Sequence, residues 1–182
     1  MSKTNEQYDA VVESCKSIFF KKNKDYGTAW RVLRTISIVD QIYIKAQRIR
    51  TIQDKKQQKI ADDIPGELKG IINYAVIGLI QLALPGDAPE DLPEAEVAQL
   101  YDKYIHEAKT LMTNKNHDYG EAWRNMSQEG LTDLILMKLL RIRQILNNDG
   151  QTLISEGIDA NYYDIINYAV FALILHNEAH KA

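Results

Sequence analysis

One ten-residue pattern occurs twice in this chain and constrains its fold more than any other feature. Residues 22–31 and 115–124 both follow Lys-Asn-x-Asp-Tyr-Gly-x-Ala-Trp-Arg, at an offset of 93 positions (115 − 22). The offset continues through the next charged segment, and after one added residue 71–76 repeats as 165–170. Such a repeat indicates one structural unit used twice. The chain is therefore expected to contain two modules with the same order of elements.

Apolar residues recur at spacings of three and four, which is the period of an amphipathic α-helix. No stretch of useful length shows the alternation expected of a β-strand. The predicted helices cover about residues 6–24, 29–34, 37–55, 65–84, 94–116, 120–126, 131–147 and 161–180. The predicted fold class is therefore all-α, a helical bundle built from two tandem four-helix modules related by a pseudo-twofold axis.

Prolines mark the predicted boundary between the modules. Residues 85–93 are rich in proline and acidic residues and are expected to form a linker, of which the acidic stretch 86–91 should be neither helical nor part of the core. The first module is then 1–84 and the second 94–182. Modules of roughly 85 residues are marginally stable alone, so the two are expected to form one cooperative unit.

Local signals predict where several helices end and begin. Gly27 and Gly120 should end the first helix of each module, because glycine tolerates the left-handed conformation found at many helix ends. Ser37 with Asp40 three residues later resembles a capping box, which would start the third helix. Trp30 and Trp123 are expected to pack in the core, and the charged residues 53–63 are expected to form a loop.

Composition excludes several classes of function. A net charge of -3 and a pI near 5.8 give no general attraction to nucleic acid, so binding of double-stranded nucleic acid is not expected. Cys15 is the single cysteine, which excludes an intrachain disulfide and a cysteine-based zinc site. No apolar run approaches the roughly 20 residues that span a bilayer, and the N-terminus lacks the apolar core of a signal peptide. A soluble, cytoplasmic protein without membrane contact is expected.

The third predicted helix of the second module is apolar around nearly its whole circumference, so its charged residues are conspicuous. Lys138 and Arg141 lie three positions apart on one face. Asp133 lies eight positions before Arg141, and we expect these three side chains to point into one cleft.

The final helix contributes a second polar strip, because Asp164, Asn167 and Tyr168 share a face. The first module repeats the charged strip with Asp40, Lys45 and Arg48. Gly70 stands where the second module has Asp164, and Glu67, one turn earlier, is the candidate to replace it. If Glu67 does not, the first site is degenerate, so the second module is expected to carry the better site.

Charged groups on buried helices need compensation, and two arrangements supply it. In the structural one, Asp133 or Asp164 neutralises Lys138 and Arg141. In the functional one, the basic residues bind phosphate, and the acids hold a divalent ion. The candidate phosphate-binding residues are then Lys45, Arg48, Lys138 and Arg141, and the candidate metal ligands are Asp40, Glu67, Asp133 and Asp164.

The repeated ten-residue stretch lies where one helix ends and another begins, a frequent place for ligand contacts. Lys22 and Lys115 from this stretch join the phosphate candidates. The candidate base or sugar contacts are polar and aromatic residues at equivalent positions of the two modules: Asp25, Tyr26, Asp118, Tyr119, Asn73, Tyr74, Asn167 and Tyr168.

Both copies of the pattern, followed by Asp-x(4)-Lys-x-x-Arg-Ile-Arg and Ile-Ile-Asn-Tyr-Ala, resemble the family called nucleotide modification associated domain 1. The resemblance covers most of the chain and implies an association with nucleotide modification. More distantly, the helix order and the charged strips are similar to the all-α MazG-type nucleoside triphosphate pyrophosphohydrolases. Those enzymes hold magnesium with a Glu-Glu-x-x-Glu cluster and a Glu-x-x-Asp pair, and residues 156–159 only approximate the second motif.

Two functions from different classes follow. The first is a nucleotide-binding enzyme, linked to modified nucleotides or acting as a magnesium-dependent pyrophosphohydrolase, in which Mg²⁺ neutralises a phosphate chain for attack by water. The second is a non-catalytic nucleotide-binding or protein-interaction module with a structural charge network. A homodimer is expected in either case, since related helical folds usually assemble.

Overall fold

The computed structural model describes residues 2–55 and 63–181, and every regular element in those ranges is a helix. Each module contains three α-helices and one 3₁₀ turn. The bounds are α1 Ser2–Tyr26, a first 3₁₀ turn Ala29–Val32, α2 Thr35–Lys55, α3 Asp63–Ala83, α4 Glu94–Tyr119, a second 3₁₀ turn Ala122–Asn125, α5 Gln128–Asn147 and α6 Ile158–Ala179. The predicted all-α class is confirmed.

The predicted helix order is also found, with differences at the ends. The glycine signal is correct, because Gly27 and Gly120 have φ angles of 61° and 64°. The capping box at Ser37 is wrong, since α2 already begins at Thr35 and the Ser37 N–H donates to the Arg34 carbonyl at 3.0 Å. Of the predicted loop 53–63, residues 53–55 belong to α2 and Asp63 begins α3, while residues 56–62 lie outside the described part of the chain.

Helices α3 and α6 form the centre of the bundle. Each packs against the other and against its own module's preceding helix, and most of their apolar side chains are buried. Gly78 permits a close approach, because a Cβ atom there would lie 2.5 Å from the ring of Tyr162. The two modules therefore share one continuous hydrophobic core.

Two asparagines, the buried Asn167 and the partly buried Asn73, bind the first helix of each module to the centre. The Asn73 Oδ1 accepts from the Tyr101 hydroxyl at 2.7 Å, while the Asn73 amide donates to the Cys15 carbonyl at 3.1 Å. In the other half, the Asn167 Oδ1 accepts from the Tyr8 hydroxyl at 2.7 Å. The Asn167 amide donates to a carbonyl of α4 at 3.1 Å. The tyrosine of each module thus bonds the asparagine of the other.

Ion pairs repeat this exchange at the surface. Arg143 binds Asp40 at 3.0 Å, and Arg50 lies 3.9 Å from Asp133. These four positions are equivalent in pairs, so each module gives one arginine to the other module's aspartate. Such reciprocity is what a pseudo-twofold axis between the modules produces.

The linker is packed against the first 3₁₀ turn. Residues 86–91 are exposed or only partly buried, as expected of a segment outside the core, whereas Leu92 next to them is buried. The Thr28 hydroxyl donates to the Glu90 carbonyl at 2.6 Å and accepts from the Leu92 N–H at 3.0 Å. Arg31 donates to the Pro89 carbonyl at 3.0 Å. The arginine of the repeated pattern therefore binds the chain that joins the modules.

The single cysteine lies inside the protein. Burial raises the pKa of Cys15 to about 12, so its thiol is protonated and unreactive at neutral pH. None of the described helices is both long enough and apolar enough to cross a bilayer.

Replacing Tyr8 by Phe should destabilise the protein, because it leaves the buried Asn167 Oδ1 without its donor. The expected loss is about 1 to 3 kcal/mol in the free energy of unfolding, measured by chemical denaturation. Tyr101→Phe should cost a similar amount through Asn73. Tyr119→Phe is the control, since Tyr119 is 77% exposed. Unchanged denaturation midpoints in both buried variants would contradict the bridging role of the asparagines.

Candidate functional site

A cavity of about 430 Å³ opens in the first module between α1, the first 3₁₀ turn, α2 and α3. Its lining combines aromatic, basic and amide side chains. The residues that matter for its chemistry are Lys22, Lys45, Lys69, Asn23, Asn73, Trp30 and Tyr74. A volume of this size is in the range of small-molecule sites.

Three lysines give the cavity a basic character. Lys45 lies 3.7 Å from Glu67, which is too long for a good hydrogen bond, and its ammonium group lies 5.8 Å from the centre of the Tyr74 ring. Within residues 2–55 and 63–181, neither Lys22 nor Lys69 forms an ion pair. The lysine donors of this cavity are therefore largely unused by the described protein groups.

An unused acceptor lies beside these donors. The Oδ1 atom of Asn23 is buried and has no hydrogen-bond partner among the described residues. In the second module, the equivalent Asn116 is buried, and its amide contacts the Met112 sulfur at 3.0 Å. Buried polar atoms are usually hydrogen-bonded, so the Asn23 oxygen is a candidate to accept a ligand's hydroxyl or N–H group.

The second module fills the equivalent space with a carboxylate. Asp164, at the position of Gly70, binds Lys138 at 2.8 Å and Lys115 at 2.9 Å. The Asp164 and Lys138 side chains are only 6% and 11% exposed. Burial disfavours the charge of Lys115, but its hydrogen bond and attraction to Asp164 outweigh this, and the pKa of Lys115 is raised. The carboxylate also contributes to the raised pKa of the partly buried Tyr168.

An aromatic ring fills the rest of the equivalent space. Phe171 stacks on Trp123 with ring centres 4.2 Å apart and planes 5° from parallel. The first module has Ile77 in place of Phe171, so Trp30 has no stacked partner from α3 and lines the cavity instead. The prediction of core packing holds for Trp123, which is buried, and only partly for Trp30.

Arg141 lies elsewhere, in an open groove of about 1080 Å³ between α5 and the loop that precedes α6. Lys138, Gln144 and Glu156 also line this groove. Its first-module counterpart, Arg48, binds Glu67 at 2.9 Å. The two predicted phosphate-binding arginines therefore lie in different surroundings.

The four predicted metal ligands lie in different surroundings. Asp40 and Asp133 are exposed and pair with arginines of the opposite module, because they lie where α2 packs against α5. Glu67 is held by Lys45 and Arg48, and Asp164 lies between two ammonium groups. Among the described residues, no group of three or more His, Cys, Asp or Glu side chains could hold a metal ion.

The predicted base or sugar contacts divide between the two modules. Tyr26, Asn73 and Tyr74 line the cavity. Asn167 is buried and bonded on both sides of its amide. The others are found outside the cavity: Asp25 and Tyr119 are exposed, Asp118 pairs with His117 at the surface, and Tyr168 is partly buried near Asp164.

The cavity lining includes Lys69, Asn23, Trp30 and Ile77, which were not predicted as ligand contacts. The sequence carries a signal for Asn23, which adjoins the predicted site residue Lys22, and for Lys69, which lies two positions after Glu67. For Trp30 and Ile77 the signal comes only from comparing the two copies of the module. The change from Ile77 to Phe171 between the copies indicates that the two tryptophans have different neighbours.

Replacing Asp164 by Asn should strongly destabilise the protein, because the buried Lys138 then loses its counter-charge. Removing one partner of a buried ion pair costs about 3 to 5 kcal/mol. Asp133→Asn is the matched control: its side chain is 61% exposed, and the expected change is about 0.5 kcal/mol. Denaturation curves of both variants test this, and equal losses would contradict a special role for Asp164.

The ion pair between Lys115 and Asp164 predicts how the stability of the Asp164→Asn variant depends on pH. Because the pKa of Lys115 is raised in the folded protein, its ion pair with Asp164 contributes fully to the free energy of unfolding below the pKa of an unfolded lysine, about 10.4. This contribution is lost as the pH rises through the folded-state pKa. The stability difference between the unmodified protein and Asp164→Asn should therefore be constant near neutral pH and shrink only above about pH 10. A difference that shrinks between pH 6 and 8 would contradict this assignment.

Comparison with known proteins identifies the two modules. The family described as nucleotide modification associated domain 1 matches residues 22–82 and again residues 115–175. The matches contain the two ten-residue patterns and both polar strips, including Gly70 and Asp164. No curated protein and no solved structure matches the chain. The more distant similarity to MazG-type enzymes therefore receives no support from these comparisons.

Proposed function

Since this chain belongs to the nucleotide modification associated domain 1 family, present as a tandem pair, we propose that it binds a nucleotide in the cavity of the first module. The observation that carries the proposal is the combination of three lysines with exposed aromatic surface in one cavity. Lysine binds phosphate as a point charge, and aromatic rings stack on nucleobases.

The contents of the cavity favour a nucleotide over a purely apolar ligand. An apolar ligand would leave the ammonium groups of Lys22 and Lys69 without an anionic partner, and Lys45 with Glu67 only at 3.7 Å. A simple inorganic anion would satisfy the lysines but leave the Trp30 ring uncovered. A nucleotide supplies both a phosphate and a planar base, and its hydroxyl groups can donate to the Asn23 oxygen.

The second module suits the structural alternative. Its two lysines are already neutralised by Asp164, and Phe171 covers its tryptophan. We therefore propose a division of roles, in which the first module binds the ligand and the second module stabilises the fold. This reverses the expectation from the sequence, in which Asp164 made the second site the better one.

Magnesium enters this proposal only as an ion that accompanies the phosphates of a nucleotide. The described acids do not group into a magnesium site, and Glu67 already pairs with Arg48 at 2.9 Å. The proposed function is therefore binding, without a hydrolytic step. Assembly as a homodimer stays a prediction that light scattering can test.

The proposal predicts nucleotide binding that does not require magnesium. Isothermal titration of canonical and modified nucleoside phosphates should give one binding site per chain. Lys45→Ala should weaken binding about ten- to a hundredfold, because it removes a hydrogen bond to a charged group. The fold should tolerate this change, since Glu67 keeps Arg48 as its partner. Trp30→Ala should weaken binding of nucleotides by removing the stacking surface.

Lys24→Ala is the matched control, because Lys24 is an exposed lysine of α1, two positions after the cavity-lining Lys22, and does not line the cavity itself. The affinity of the Lys24→Ala variant for nucleotide should equal that of the unmodified protein. If none of the nucleotides binds, or if Lys24→Ala and Lys45→Ala weaken binding equally, the proposed function is wrong. Thermal unfolding of each variant separates a binding defect from a folding defect.

A further inference from the structure

The two copies of the module differ most where the cavity lies. Helix α6 places a carboxylate at position 164 and a phenyl ring at position 171, and α3 has Gly70 and Ile77 at these places. The surrounding groups are shared, since Lys115, Lys138 and Trp123 correspond to Lys22, Lys45 and Trp30. The two lysines and the tryptophan of each module form a shared frame. This frame is filled by side chains of α6 in the second module and left open in the first.

We propose that Asp164 and Phe171 show where the parts of the ligand lie in the first module. The anionic group of the ligand would lie beside Gly70, between Lys22 and Lys45, as the Asp164 carboxylate lies between Lys115 and Lys138. The planar ring of the ligand would stack on Trp30 beside Ile77, as Phe171 stacks on Trp123. This inference rests on the proposed function and assigns positions within that site.

The assignment limits the ligand class. Positions 70 and 77 are seven residues apart, or about 10.5 Å along the helix axis, so an anion and a ring at these positions need a spacer between them. A nucleobase joined to phosphate through a sugar provides one. The anion site is small, because in the second module a single carboxylate satisfies both lysines. A nucleoside 5′-monophosphate is the smallest ligand that has all these parts.

The geometry at Gly70 makes the anion position testable. A Cβ atom there would lie 2.9 to 3.2 Å from the last atoms of the Lys45 side chain. These atoms belong to the flexible end of a lysine, which can shift. Gly70→Asp should therefore fold and place its carboxylate between Lys22 and Lys45, reproducing the arrangement of the second module.

Gly70→Asp should lower the affinity for a nucleoside 5′-monophosphate and for inorganic phosphate at least about tenfold, since it puts a negative charge where the phosphate binds. Gly70→Asn is the matched control, because it adds nearly the same volume without the charge. It should lose less affinity than Gly70→Asp for both probes. Equal losses in the two variants would overturn the assigned anion position.

The ring position has its own pair of variants. Ile77→Phe should fill the space against Trp30 and weaken nucleoside monophosphate binding about tenfold, while inorganic phosphate binds as in the unmodified protein. Ile77→Leu is the control and should leave both probes unaffected. If Ile77→Phe weakens both probes equally, or neither, the ring does not lie at this position.

These outcomes separate the inference from the proposed function. If the unmodified protein binds nucleotide and Lys45→Ala weakens it, but Gly70→Asp and Ile77→Phe do not, the function stands and the assignment of positions is overturned. If the unmodified protein binds no nucleoside phosphate, both are overturned. Circular dichroism and thermal unfolding of Gly70→Asp show whether a loss comes from unfolding. If that variant is unfolded, Ile77→Phe with its two probes decides.

Discussion

The bundle depends on two side-chain amides, that of the buried Asn167 and that of the partly buried Asn73. Each accepts a hydrogen bond from a tyrosine of the other module and donates one to a backbone carbonyl of its own module. A buried amide that loses a partner is costly, so α1 and α4 are held at one depth and rotation against the central helices. Asn73 also lines the cavity, one turn from Gly70. The contact that joins the modules therefore also positions the wall of the candidate site.

Duplication lets one frame serve two purposes. In the second module, a buried carboxylate held by two lysines and a stacked ring pair fill the frame with protein atoms. In the first module, the same frame has smaller residues on its central helix and keeps its lysines available. A filled site stabilises the fold through packing but blocks access for a ligand. An open site gives up that packing and admits a ligand. With two copies in one core, the filled copy can support the fold while the open copy remains accessible to a ligand.

The helices and the tandem order could be predicted because they depend on periodicity within each segment. The partners of Asp40 and Asp133 could not, since eight residues along a helix turn Asp133 about 80° away from Arg141, towards the opposite module. The cavity was missed for another reason. In the sequence, Gly70 indicates only that an acid is absent. The missing side chain produces a space only when the neighbouring helices are in place.

The counter-charges explain why the first module can remain open without an internal carboxylate at its centre. Glu67 lies one turn before Gly70 on α3, and it holds Arg48 at 2.9 Å but Lys45 only at 3.7 Å. It therefore reduces the cost of placing Lys45 beside the cavity without taking up its hydrogen-bond donors. The second module has Asn161 at the position of Glu67, which cannot supply this charge, and so Lys138 needs Asp164. Moving the acid by one helical turn is what leaves space for an external anion.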